Sequence, residues 1–122
     1  MGLISVDNTI TIALSVKDRH TSAKWYGDML GFKTLYHADE TGWSELQTNT
    51  DGVTLGLGEH AEPAPGNCVP VFGVSDLDQA RGALEGENVA FDGETQTIEG
   101  LAKLATFFDP DGNAIMLAED LS

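Results

Sequence analysis

Phe107-Phe108-Asp109-Pro110-Asp111-Gly112-Asn113-Ala114-Ile115-Met116-Leu117 reads as two strands joined by a tight turn. Asp-Gly between apolar runs is a strong hairpin signal, because glycine accepts positive φ and an aspartate side chain bonds its own backbone. Pro110 has no amide proton to give a ladder, so the first strand ends before it. Asp-Pro-Asp-Gly-Asn also opens like a calcium loop, but the sixth-position glycine and closing glutamate are missing, and the hairpin is the better reading. The same punctuation occurs earlier, in Asn49-Thr50-Asp51-Gly52-Val53-Thr54-Leu55-Gly56-Leu57. Asp51-Gly52 matches Asp111-Gly112, and Leu55-Gly56-Leu57-Gly58-Glu59 matches Ile115-Met116-Leu117-Ala118-Glu119 in one register, which points to a duplicated unit.

The rest of the chain fits two copies of one plan. Thr9-Ile10-Thr11-Ile12-Ala13-Leu14-Ser15-Val16 alternates as a half-buried strand does. Asp18 is a natural N-cap for a helix over residues 19–30 that Gly31 closes, with Trp25 and Met29, joined by Ser22 or Tyr26, as its apolar stripe. Strands follow at 32–37, 43–47 and 53–57, giving the order βαβββ. Residues 59–67, with two prolines and a glycine, are the most linker-like stretch. Beyond them Val74-Ser75-Asp76 repeats Val16-Lys17-Asp18. A strand at 69–74, a helix at 77–84 and strands at 89–91, 101–108 and 114–117 complete a second βαβββ, with 94–100 left as loop. One domain over 1–122 is expected: module one about 5–59, a linker about 60–67, and module two about 68–120.

Composition limits the function classes. At 122 residues and 41% hydrophobic content the chain can bury a core. Twenty acidic against six basic residues leave a net charge of −14, which repels phosphate backbones and argues against a nucleic-acid partner. The same charge fits solubility, or a site that attracts cations. No apolar run spans a bilayer, Met1-Gly2-Leu3 starts no signal peptide, and Val6 breaks the myristoylation pattern, so a cytoplasmic protein is expected. Cys68 is the single cysteine, excluding an intrachain disulfide, and reads as a small buried hydrophobe. His20, His37 and His60 share no metal-ligand spacing.

Val16-Lys17-Asp18, a helix ending in Met29-Leu30-Gly31-Phe32, and Asp109-Pro110-Asp111-Gly112-Asn113 together resemble the glyoxalase, bleomycin-resistance and extradiol-dioxygenase group, the vicinal oxygen chelate superfamily. The likeness covers about the whole chain. It implies an α+β fold in which two βαβββ modules curl eight strands into a cupped mixed sheet with helices outside, often completed across a homodimer. Metal-using members of the group place His, His, Glu and Glu at equivalent points of four strands. Carried over residue by residue, those points fall on Thr11, Gly56, Val69 and Met116, none a usable donor for a divalent cation, so neither a metal nor another cofactor is expected.

On that placement, strand parity assigns the cup lining. Thr9, Thr11 and Ala13 face in, with Trp43, Glu45 and Gln47, Thr54 and Gly56, Val69 and Val71, Leu104, Thr106 and Phe108, and Ala114 and Met116. Greasy walls with a few convergent polar groups suit a small molecule. The expected ligand-binding set is Thr11, Trp43, Glu45, Gln47, Gly56, Val69, Thr106, Phe108 and Met116. Glu45 is the expected anchor, with Trp43 offering a ring to a flat or cationic group. The plainer alternative makes Glu45 a solvent-facing carboxylate paired with Lys33 or Arg81, and Trp43, Phe108 and Met116 packing residues at an interface. Four functions stay open: a metal-independent binding protein of the bleomycin-resistance type, sequestering a ligand in an apolar acidic cup; a metal-independent lyase, isomerase or hydrolase with Glu45 as general base; a metal-dependent glyoxalase or dioxygenase; and a purely structural role.

Overall fold

The computed structural model describes residue 3, residues 7–66 and residues 68–122. Met1, Gly2 and Val6, read above for targeting signals, and Asn67 at the end of the expected linker lie outside the described residues. The chain forms two compact units, residues 1–62 and 63–122. The first contains β1 (Ile10–Val16), α1 (Arg19–Leu30), β2 (Lys33–Ala38), a short helical turn (Asp39–Thr41), β3 (Trp43–Gln47) and β4 (Val53–Glu59). Its sheet order is β1-β4-β3-β2, with β1 parallel to β4 and the other neighbours antiparallel. The second contains β5 (Val71–Gly73), α2 (Leu77–Gly86), β6 (Gln96–Ile98), β7 (Ala102–Phe108) and β8 (Ala114–Asp120), ordered β5-β8-β7-β6 with the same senses. The fold is therefore α+β, two βαβββ modules whose eight strands form two mixed four-stranded sheets.

Alternation along the strands builds each core. Leu14, Val16, Leu46, Leu55 and Leu57 are buried on one face of the first sheet, with Ala23, Tyr26 and Phe32. The rings of Tyr26 and Phe32 stack with centroids 6.2 Å apart. Leu77, Leu84, Val89, Ala105, Phe107, Ile115 and Leu117 do the same work in the second unit. No helix among the described residues is long and apolar enough to cross a membrane.

The duplication extends to how each helix starts. The Asp18 and Asp76 side chains accept from the amides of Thr21 and Gln79, both at 3.1 Å. One residue after each cap, the Arg19 amide donates to Glu59 Oε1 at 3.1 Å and the Leu77 amide donates to Glu119 Oε1 at 2.7 Å. Helix amides that lack intrahelical partners are thus satisfied by carboxylates, which the helix dipole also favours. In the C-terminal hairpin, Asp109 is buried and its Oδ1 accepts from the amides of Asp111 and Asn113 at 2.9 and 2.8 Å. Gly112 follows at φ +85°, as Gly52 does at +78° in the equivalent turn.

Several expectations are corrected. The buried stripe of α1 is Arg19, Ser22, Ala23 and Tyr26, while Trp25 and Met29 are only half-buried. Residues 96–98, read as loop, form β6, paired with β7 through Gln96 and Leu104, whereas near 89–91 a single bridge joins Phe91 to Phe107. β6 is a short, fully exposed edge strand, so it lacks the alternation that marks a half-buried one. Cys68 is exposed with a free thiol, since it lies in the segment before β5 and not in a strand. Ile10, at the start of β1, is 62% exposed.

Phe107 is fully buried, so Phe107→Ala is expected to lower unfolding free energy by about 3–5 kcal/mol, read by urea denaturation.

Candidate functional site

The face of the first sheet opposite its core gathers a set of polar and aromatic side chains. Register places Glu45 between Gly56 on β4 and Tyr36 on β2, and Thr11 on β1 beside Thr54 on β4. Glu45 receives four donors. Trp43 Nε1–H donates to Oε1 at 2.7 Å, and the Thr54 hydroxyl donates to Oε2 at 2.6 Å. Longer contacts come from the Tyr36 hydroxyl to Oε1 at 3.4 Å and the Thr11 hydroxyl to Oε2 at 3.3 Å. The Thr11 and Thr54 hydroxyls also lie 2.8 Å apart. All four donors are neutral, and Glu45 has no ion-pair partner among the described residues, in place of the pairing with Lys33 or Arg81 that the plainer alternative expects.

The Trp43 indole lies over Gly56. A Cβ built at position 56 would fall inside the van der Waals envelope of Trp43 Cζ2 and Cη2, and 3.0 Å from Cε2. Only glycine leaves room for the ring, and the bond to Glu45 keeps the ring there. The carboxylate and the indole therefore fix each other.

Behind this face the strand is held from the core side. Arg19 is 4% exposed; its Nη1 donates to the Trp43 carbonyl at 3.1 Å and to Ser44 Oγ at 2.9 Å, and its Nη2 to Asp39 Oδ1 at 3.0 Å. Its Nε lies 3.2 Å from Glu59 Oε1, within ion-pair reach but off the N–H direction, and makes no hydrogen bond. His37 Nδ1 is 2.6 Å from Ser44 Oγ, and the His37 ring stacks on His20 at 3.9 Å. Hydrogen bonds from Arg19, then from His20, hold the Asp39 carboxyl below its ordinary pKa.

The expected site residues divide between the units. Thr11, Trp43, Glu45 and Gly56 come together as described, joined by Thr54 and by Tyr36, which the sequence reading left out. Gln47 sits at the exposed end of β3 and lines a separate cleft of about 210 Å³ with Gly31, Lys33, Thr48, Asn49 and Asp51. In the second unit Thr106 pairs directly with Met116, and Phe108 with Ala114. Thr106 and Met116 line a cleft of about 200 Å³ with Asp92, Glu94, Gln96, Leu104 and Ala105. Val69 precedes β5, outside any strand, and is 37% exposed.

The four carried-over ligand points do not fit a divalent metal: a hydroxyl, a bare backbone, an isopropyl group and a thioether stand where imidazoles and carboxylates are needed. Among the described residues no three His, Cys, Asp or Glu side chains are placed to hold a metal ion.

A family model described as Glyoxalase/Bleomycin resistance protein/Dioxygenase superfamily matches residues 9–117. Comparison with curated proteins gives no match. Among solved structures, the antibiotic binding protein TnmS3 from Streptomyces sp. CB03234 superposes with a TM-score of 0.77 at 23% identity, over 96% of this chain and 98% of that one. FosX, a fosfomycin resistance protein from Listeria monocytogenes complexed with Mn(II) and sulfate, gives 0.78 at 14% identity, over 95% of this chain and 92% of that one. A superfamily member from Sphaerobacter thermophilus gives 0.78 at 18% identity, over 94% and 98%. At these identities the likeness is one of fold.

Two outcomes follow from the geometry. Gly56→Ala is expected to drive the indole off the sheet, red-shift tryptophan emission and cost about 1–3 kcal/mol in denaturant titrations. Because the Asp39 pKa is lowered on folding, its contribution to stability is present above the ordinary carboxylate range and fades as pH falls through that range and below. Asp39→Asn is therefore expected to be less stable than wild type at neutral pH, with the gap narrowing in acid, measured by thermal melts across pH. Asp39 is 65% exposed, so screening keeps the effect small.

Proposed function

The chain belongs to the glyoxalase/bleomycin resistance protein/dioxygenase superfamily, and from that membership we propose a small-molecule-binding protein that works without a resident metal ion and sequesters its ligand. The observation that carries this reading is the Trp43 indole seated on Gly56 and pinned by Glu45. A position that metal-using relatives give to a ligand side chain is here closed to any side chain, and the space goes to an aromatic ring. Rings and fixed polar groups on an open sheet bind flat organic molecules. Antibiotic binding by TnmS3, a protein of the same fold, supports the assignment to binding.

Catalysis by Glu45 is the weaker reading. General-base chemistry needs a second group to stabilise the charge left on the substrate, and among the described residues no Lys, Arg or His nitrogen lies within ion-pair reach of Glu45. We take Gln47 in the module over about 5–59, and Val69, Thr106, Phe108 and Met116 in the module over about 68–120, as further ligand contacts, each within its own module. We also take the protein to be a cytoplasmic homodimer. Exposed Ile10, Leu35, Val71 and Ile98 supply apolar surface for association, and the free Cys68 thiol suits a reducing compartment.

Calorimetric titration with a panel of basic aromatic antibiotics, before and after exhaustive chelation, tests the proposal. Saturable binding that survives chelation and weakens roughly tenfold or more in Glu45→Ala is expected. Stoichiometric zinc, nickel or iron in the purified protein, needed for binding, would sink it.

A further inference from the structure

Glu45 carries a charge that its surroundings orient but do not neutralise. Two short bonds, from Trp43 at 2.7 Å and Thr54 at 2.6 Å, fix one direction on each oxygen. The remaining direction on each is only loosely used, by Tyr36 at 3.4 Å and Thr11 at 3.3 Å. Tyr36 is 50% exposed and Thr11 is exposed as well, so both weak contacts lie on the solvent side of the carboxylate. Among the described residues no Lys, Arg or His nitrogen makes an ion pair with Glu45; Arg19 pairs with Asp39 and Glu59, and Lys24 with Asp28. A half-buried carboxylate with neutral donors and no counter-ion is a cation site in waiting, and a net charge of −14 raises the local concentration of cations around it.

Resting on the binding function proposed above, we infer that this face selects ligands carrying a protonated amine beside an aromatic ring. The ammonium replaces the Tyr36 and Thr11 contacts on the free directions of Oε1 and Oε2. The ring of the ligand lies against Trp43 and Tyr36, whose π faces also favour the adjoining positive charge. Selectivity comes from the carboxylate: an alcohol of the same shape offers one hydrogen bond and no charge, and displaces two contacts for less return.

The indole N–H of Trp43 reports on this directly, because it is bonded to the oxygen the ammonium would reach. The protein has two tryptophans, and Trp25, on α1, serves as the internal control. Proton–nitrogen NMR spectra are recorded while the ¹⁵N-labelled protein is titrated with naphthylmethylamine and, separately, with naphthylmethanol. The amine is expected to move the Trp43 indole signal saturably and leave that of Trp25 in place, with the alcohol binding roughly tenfold or more weakly. Glu45→Gln, which keeps an acceptor for Trp43, is expected to bring the amine down to the level of the alcohol. Equal shifts from amine and alcohol would overturn the charge selection while leaving small-molecule binding standing. No shift at Trp43 with either compound would overturn both. The amine–alcohol comparison needs no variant, so the test holds even if Glu45→Gln folds poorly.

Discussion

Strand β3 has to satisfy two environments at alternate residues, and the rest of the first unit is arranged around that demand. Ser44 and Leu46 are fully buried, while Trp43 and Glu45 stand on the open face. A one-residue slip would put a carboxylate into the core and a leucine into water, so the register is strongly specified. Arg19 secures it from below through the Trp43 carbonyl and Ser44 Oγ, and from above it is secured to β4 by the Thr54–Glu45 bond and the Trp43 ring over Gly56. Placing a guanidinium at 4% exposure carries a desolvation cost, which its contacts to Asp39, Glu59, Ser44 and a carbonyl offset.

The two halves share a plan and differ in what they do with it. Both begin their helices with an aspartate cap and a glutamate reaching back from the fourth strand. At the residue after the cap, one half has Arg19 and the other has Leu77, fully buried. The second half anchors its sheet with plain apolar packing; the first commits a charge there. The polar network and the indole-capped carboxylate occur in the same half, so the elaborated back of the sheet supports the elaborated front.

Much of this could be read from the chain. The Asp-Gly turns, the Asp18 and Asp76 caps, the βαβββ order and the pairing of Thr11, Glu45 and Gly56 on one face all follow from local chemistry and two-residue alternation. What escaped has physical causes. The buried side of α1 was mis-phased because an arginine is an unlikely core residue until its partners are visible. Tyr36 was missed because the pairing of β2 with β3 shifts between Thr34 and Tyr36, which spoils counting by twos. The short β6 carries no apolar alternation, and Val69 stands outside β5 because that strand is only three residues long.

The shift in β2 has a further consequence. β2 is an edge strand with every residue from Lys33 to His37 exposed, the kind of edge along which chains stack into fibrils. An unbroken, flat edge of this kind is a hazard of open-ended self-assembly. The register shift between Thr34 and Tyr36 breaks the regular repeat of this strand, which makes its outer edge a poor template for continuous stacking. The same irregularity that sets Tyr36 opposite Glu45 thus also guards the outer edge of the strand.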